Sequence, residues 1–195
     1  MERKKIMKWS NALLVAAGLL TTTATVQAKQ VMCVFDLVGK NGDVFTLMKD
    51  YQLAAKNWGA DIELKVNSNE AVIAEDFKAG KCDAVSITGM RGRQFNNFTG
   101  SLDAIGAIPN LGLAIKVMQG LASPTFAKYM TSGQYEVVGV IPVGDAYLMV
   151  NDRNINTVAK AAGKNLAVFD YDQAQKNMIQ QIGDQAVSAD VTTYG

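Results

Sequence analysis

Three groups of residues in this 195-residue chain have the types and spacing to do chemistry. The first is Asp36 followed by Gly39, Lys40, Asn41 and Gly42, directly ahead of a helical pattern. A helix N-terminus leaves backbone N–H groups unpaired, so a loop here favours an anion or a carbonyl oxygen. The same residues read as a glycine-rich turn needing a positive φ, and their spacing is not GxGxxG. The second group is Thr88, Arg91 and Arg93, where a guanidinium can hold a carboxylate or phosphate through two parallel hydrogen bonds. Exposed surface arginines are the plainer alternative, and Arg91, nearer the strand end, is the stronger candidate. The third group, Tyr147, Phe169, Asp170, Tyr171 and Asp172, offers aromatic faces and carboxylates to a cation. Asp172 also has the type and place of a helix N-cap. An acidic ligand would fit Arg91 and Arg93, an amine would fit Asp36, Asp170 and Asp172, and the residues leave both open.

Composition removes whole classes of chemistry. The chain has no histidine, which excludes Ser-His-Asp and Cys-His catalysis and the usual zinc ligand sets. Paired carboxylates can work as acid and base without histidine, but Asp170 and Asp172 lie too close in sequence to oppose each other across a substrate, and no GxSxG turn occurs. The methionines, such as Met48, Met118, Met130 and Met178, sit at apolar helical positions and read as core fillers. No catalytic residue, metal or cofactor is expected.

The N-terminus reads as a secretory leader. Arg3, Lys4, Lys5 and Lys8 precede a short apolar run, 12–20, and the small-residue site Val26-Gln27-Ala28. Nine apolar residues are about half of the roughly 20 a spanning helix requires. Cleavage after Ala28 would remove a net +3, taking the formal charge from +1 to −2, so no nucleic-acid partner is indicated. An exported, periplasmic chain meets an oxidising compartment. Cys33 and Cys82, each at a predicted strand, are therefore paired as a disulfide; the alternative is two buried thiols.

The elements that must position these residues follow from periodicity. Residues 31–37 (VMCVFDL) read as a buried strand, and 43–58 as a helix capped by Asp43 with Val44, Leu47, Met48, Tyr51, Ala55 and Trp58 on its inner face. A half-wet strand at 61–66, a helix at 70–79 closed by Gly80 and a strand at 82–88 follow. Strand, helix, strand, helix, strand in under 60 residues argues for parallel βαβ units in an α/β fold. Helices are predicted at 111–121, with Asn110 as cap, and at 124–130 after Ser123-Pro124. Strands are then expected at 135–141 and 146–150, a short helix at 155–162, a strand at 165–169, a helix at 172–182 and a last strand at 187–191. In open α/β sheets ligands sit beyond the carboxyl ends of the strands, which is where the candidate loops fall.

Three stretches carry a family resemblance: VMCVFDLVGKNGDVFTLMKDYQLAAKNWGADIELKV, FKAGKCDAVSITGMRGRQF and AYLMVNDRNINTVAKAAGKNLAVFD. Together they resemble the TRAP-type periplasmic solute-binding proteins, and most of all the solute-binding proteins often described as components of RND-type efflux pumps linked to aminoglycoside resistance. The resemblance covers 31–195. It implies a periplasmic-binding-protein-like architecture of two α/β lobes, with a small solute held between them for an inner-membrane transporter or efflux components. On that reading 1–28 is the leader, 29–149 a complete first lobe with crossover strands, and 150–195 the start of a truncated second lobe. The family's carboxylate-pairing arginine is expected just after Gly163-Lys164-Asn165-Leu166, where this chain reads AVFDYD. Solute capture leads the functional readings. An accessory part in a multidrug efflux system, without spanning segments or long coiled-coil hairpins of its own, and an enzyme are the alternatives.

Overall fold

The structure, a computed structural model, describes residues 29–104, 106–144 and 147–189. The expected leader, 1–28, lies outside the described residues, and so do Asp145, Ala146 and 190–195.

Strands β1 (Gln30–Phe35), β2 (Ile62–Asn67) and β3 (Ala84–Ser86) form one parallel sheet with β1 in the middle. Helices α1 (Asp43–Lys56) and α2 (Glu70–Lys78) are the two crossovers. Successive side chains of a strand point to opposite faces, and β1 uses both. Val34 packs with Phe45 and Met48 of α1, while Cys33 packs with Ile73 of α2 and with Cys82. Full burial of Val34 alone stabilises by about 2 kcal/mol.

The Cys33–Cys82 disulfide is present, with Cα atoms 5.8 Å apart, and ties β1 to the residues that lead into β3. Asn69 caps α2 by accepting from the Ala71 and Val72 N–H groups. The inner face of α1 is rotated from the predicted one. Phe45, Met48 and Ala55 are buried, while Leu47, Tyr51 and Trp58 are exposed. Both sets have helical spacing; the large ring of Phe45 fills the space over β1 and selects the first.

Beyond the sheet come α3 (Gly89–Gly92), α4 (Thr99–Leu102), α5 (Leu111–Leu121), a 3-10 turn (Pro124–Phe126) and α6 (Ala127–Met130). Asn110 caps α5 through the Leu113 N–H, and Ser123 caps the turn ahead of α6, as the sequence predicts. No described helix is long and apolar enough to cross a membrane.

Of the strands expected at 135–141 and 146–150, the described residues form only β5 (Tyr135–Glu136), which pairs antiparallel with β4 (Thr131–Ser132), and 147–150 lie in no strand. Val137 N–H still reaches the Met130 carbonyl, and residues 138–144 and 147–150 run without a strand partner, with Val138, Val143 and Met149 strongly exposed. β-branched composition favours extended backbone, but a strand is defined by its ladder, and no described strand offers this stretch one.

A second parallel pair closes the described chain. The helix α7 (Val158–Ala161) is shorter than expected and is capped by Thr157. Strand β6 (Asn165–Phe169), helix α8 (Gln173–Gln181) and strand β7 (Gln185–Ala189) make one βαβ unit, with β7 starting two residues earlier than predicted.

Candidate functional site

The loop after β1 turns inward. Asp36 is buried, and its carboxylate accepts from the Val38 N–H at 2.9 Å and from the Phe45 N–H at 3.0 Å. It therefore caps α1 from outside the helix, in place of Asp43, whose position is the first helical residue. Gly42 is required there, because a Cβ at this position would overlap the Asp36 carboxylate. The negative charge that this helix end favours is thus supplied by the chain itself. Lys40 and Asn41 stand exposed on a 3-10 turn, Gly39–Asn41.

The loop after β3 is built differently. Thr88 caps α3 by accepting from the Arg91 N–H at 3.2 Å, and its own N–H donates to Glu70 Oε1 at 2.6 Å. Glu70, the first residue of α2, is buried, and its second oxygen lies 3.4 Å from Arg91 Nε. Arg91 is no surface arginine: it is 6% exposed, and its guanidinium carbon sits 3.5 Å from the centre of the Tyr171 ring. Contact of this kind contributes about 2 kcal/mol when desolvated. Tyr171 also stacks with Phe169, the last residue of β6, at 5.4 Å between centroids. Burial, reinforced by the Glu70 carboxylate and opposed by Arg91, pushes the Tyr171 phenol well above its ordinary value. Its hydroxyl stays protonated and donates toward Glu70 Oε2 at 3.5 Å.

Arg93 reaches further along the chain. Its Nη1 donates to both oxygens of Asp172, at 3.1 and 2.9 Å, across 79 positions of sequence. The Asp172 side chain is 4% exposed and that of Arg93 25%. Asp172 also accepts the Gln175 N–H at 3.0 Å and so caps α8, as its type and place suggested. Gly100 makes room for this arginine, since a Cβ there would meet Arg93 Nε at 2.5 Å. The carboxyl ends of β3 and β6 are therefore joined by one ion pair and one ring–guanidinium contact.

Of the candidates, Thr88, Arg91, Arg93 and Phe169 come together here, with Tyr171 and Asp172. Asp36 is bound up at the end of β1. Asp170 adjoins the cluster in sequence but is exposed, with its carbonyl accepting from Lys176 Nζ. Tyr147 is 78% exposed and shares no ring contact with the cluster among the described residues. Glu70 was not foreseen: an acidic first-turn residue is the commonest complement to a helix dipole, and nothing local marks this one as buried.

A cleft of about 310 Å³ lies elsewhere, between the end of α5, Pro124, Met130 and Val138. It is open and adjoins the unpaired stretch after β5. The strand-end cluster is the better candidate, because it gathers charged groups from two parallel sheets at the position where α/β sheets hold ligands.

A family model described as Solute-binding protein AdeT 1/2 matches residues 52–195. A relative in Acinetobacter baumannii, the probable solute-binding protein AdeT1, is 58% identical over 161 residues, which are 83% of this chain and 53% of the relative. A second from that organism, the probable solute-binding protein AdeT2, is 34% identical over 93 residues, 48% of this chain and 39% of its own. Among solved structures, a TRAP periplasmic solute-binding protein from Roseobacter denitrificans, with bound 3-deoxy-D-manno-oct-2-ulosonic acid, aligns at a TM-score of 0.59 with 15% identity, over 84% of this chain and 56% of that one. One from Sulfitobacter sp. NAS-14.1 with bound β-D-galacturonate aligns at 0.56 with 14% identity, over 83% and 55%. The chain thus spans about half the length of AdeT1 and of these structures.

Proposed function

Because this chain belongs to the AdeT 1/2 family of solute-binding proteins, we propose that it is exported to the periplasm with cleavage after Ala28 and there captures a small solute between the carboxyl ends of β3 and β6. The observation that carries this reading is the Arg93–Asp172 pair, which links two separate parallel sheets at their ligand-binding ends. Residues 29–149 and 150–195 are the two sides of that cleft. Arg91, Tyr171 and Glu70 set its floor, and hinge motion that parts Arg93 from Asp172 admits the solute. The protein works as a binder rather than an enzyme, delivering its solute to an inner-membrane transporter. A place beside an efflux system would act through the same capture.

A thermal-shift screen of the exported chain against sugars, sugar acids, amino acids, amines and aminoglycosides tests this. A solute at 100 times its dissociation constant stabilises by about 2.7 kcal/mol. The expected outcome is a concentration-dependent rise in Tm with one solute class. A flat response to every class, in a protein that melts cooperatively, contradicts the reading.

A further inference from the structure

The two arginines that could recognise an acid in this cleft are both matched by the chain's own carboxylates. Arg91 is buried against Glu70 and covered by the Tyr171 ring. Arg93, the more open of the two, presents its Nη1 to both oxygens of Asp172. Asp172 occupies on Arg93 the position a solute carboxylate would take. It is also fixed there, because the Gln175 N–H of α8 holds one of its oxygens. An incoming acid would have to displace a buried carboxylate from Arg93 and then lie beside it, and like-charge contact of that kind is strongly unfavourable. An incoming amine meets the converse problem, since Glu70 and Asp172 are already neutralised by guanidinium groups and the amine would stand beside those cations.

Resting on the reading of this cleft as a solute site, we propose that Asp172 is a specificity-determining residue that mimics a bound carboxylate, so that the cleft selects uncharged, hydroxyl-bearing solutes and rejects acids. Hydroxyl groups suit it because, with the two sides parted, Asp172 can accept from them and Arg93 can donate to them, its Nη2 making only a long 3.5 Å contact with the Gly100 carbonyl among the described residues. A hydroxyl both donates and accepts, so it can take up Arg93 and Asp172 once the hinge has parted them, and it brings no like charge to either.

The test uses three sugars of one shape, D-galactose, D-galacturonate and D-galactosamine, titrated against the exported chain and its variants by calorimetry. In the wild type galactose binds tightest. Asp172→Asn keeps the helix cap, because Asn caps as well as Asp, and removes the carboxylate that hydrogen-bonds Arg93, leaving Asp103 as a nearby charge. It is expected to improve galacturonate relative to galactose by about tenfold or more, and the double variant Arg93→Gln/Asp172→Asn is expected to lose that gain. The proposal is overturned if the wild type prefers the acid or the amine tenfold, or if Asp172→Asn folds and leaves the acid-to-neutral ratio unchanged, including the case where it binds none of the three. A wild type that binds some other solute from the thermal screen while the ratio stays unchanged sinks this proposal alone. A chain that binds nothing in that screen sinks the reading of solute capture itself.

Discussion

At the end of β1 a carboxylate turns back onto its own helix, whereas at the end of β3 two guanidinium groups find partners far along the chain. Asp36 closes its loop within nine residues, against Phe45. Arg91 and Arg93 reach Glu70, Tyr171 and Asp172, the last two about 80 positions away. Both loops follow a parallel strand and precede a helix, so elementary rules make either one a candidate anion site. The difference teaches that a charged group satisfied locally fixes a turn, while one satisfied from another sheet reports on how the two sheets meet.

The largest expected effect removes what both loops share. The disulfide joins β1 to the approach to β3 and closes a loop of about 50 residues, for which chain entropy predicts roughly 4 kcal/mol. Cys33→Ala/Cys82→Ala should lower stability by about that much in denaturant titrations, and a loss below about 1 kcal/mol would mean that the sheet holds the two loops in place unaided.

Asp36→Ala separates the loops next. It strips two backbone N–H groups of a buried acceptor, with an expected cost of about 2 kcal/mol. Chemical denaturation should show this loss while solute preference stays as in the wild type. A changed preference would place Asp36 at the solute and erase the contrast.

Asp172→Asn is the reverse case. The cap survives and Arg93 keeps a quarter of its side chain in contact with solvent, so stability should fall by about 1–2 kcal/mol despite the burial of Asp172, whereas solute preference should shift. A large drop in Tm with unaltered preference would make the pair a structural brace like Asp36.

The smallest effect concerns Tyr171. Its phenol is raised above the ordinary value, so the folded state holds this proton more tightly than the unfolded chain does. The associated stability is complete below about pH 10 and declines as pH rises beyond it. Ultraviolet titration of the folded protein should show a tyrosine step above the ordinary phenol range, and Tyr171→Phe should remove that step and flatten the alkaline decline. A titration that Tyr171→Phe leaves unchanged in that range would mean that Tyr171 is not buried against Glu70.

Much of this arrangement is legible in the sequence because its causes are local. The βαβ order, the caps at Asn110, Ser123 and Asp172, and the Cys33–Cys82 pair follow from periodicity, from residue type and from the expectation of export. The inner face of α1 is not legible, since two helical stripes compete and only the shape of the surface over β1 chooses Phe45. Nor is the absence of a strand at 137–144 among the described residues, because a ladder depends on a neighbour that no local pattern supplies. At the site, the arginines and the aromatic-acidic run 169–172 stand out as separate groups. That they neutralise one another, through Arg93 and Asp172 and through Arg91, Glu70 and Tyr171, is a tertiary fact with no local signature.

Hydrogen exchange with and without a solute found by the thermal screen tests the central claim most directly. Capture between the ends of β3 and β6 predicts that backbone protection rises together at 88–93 and 169–175, with 36–45 unchanged. Protection confined to 36–45, or to the cleft beside Met130 and Val138, would contradict it.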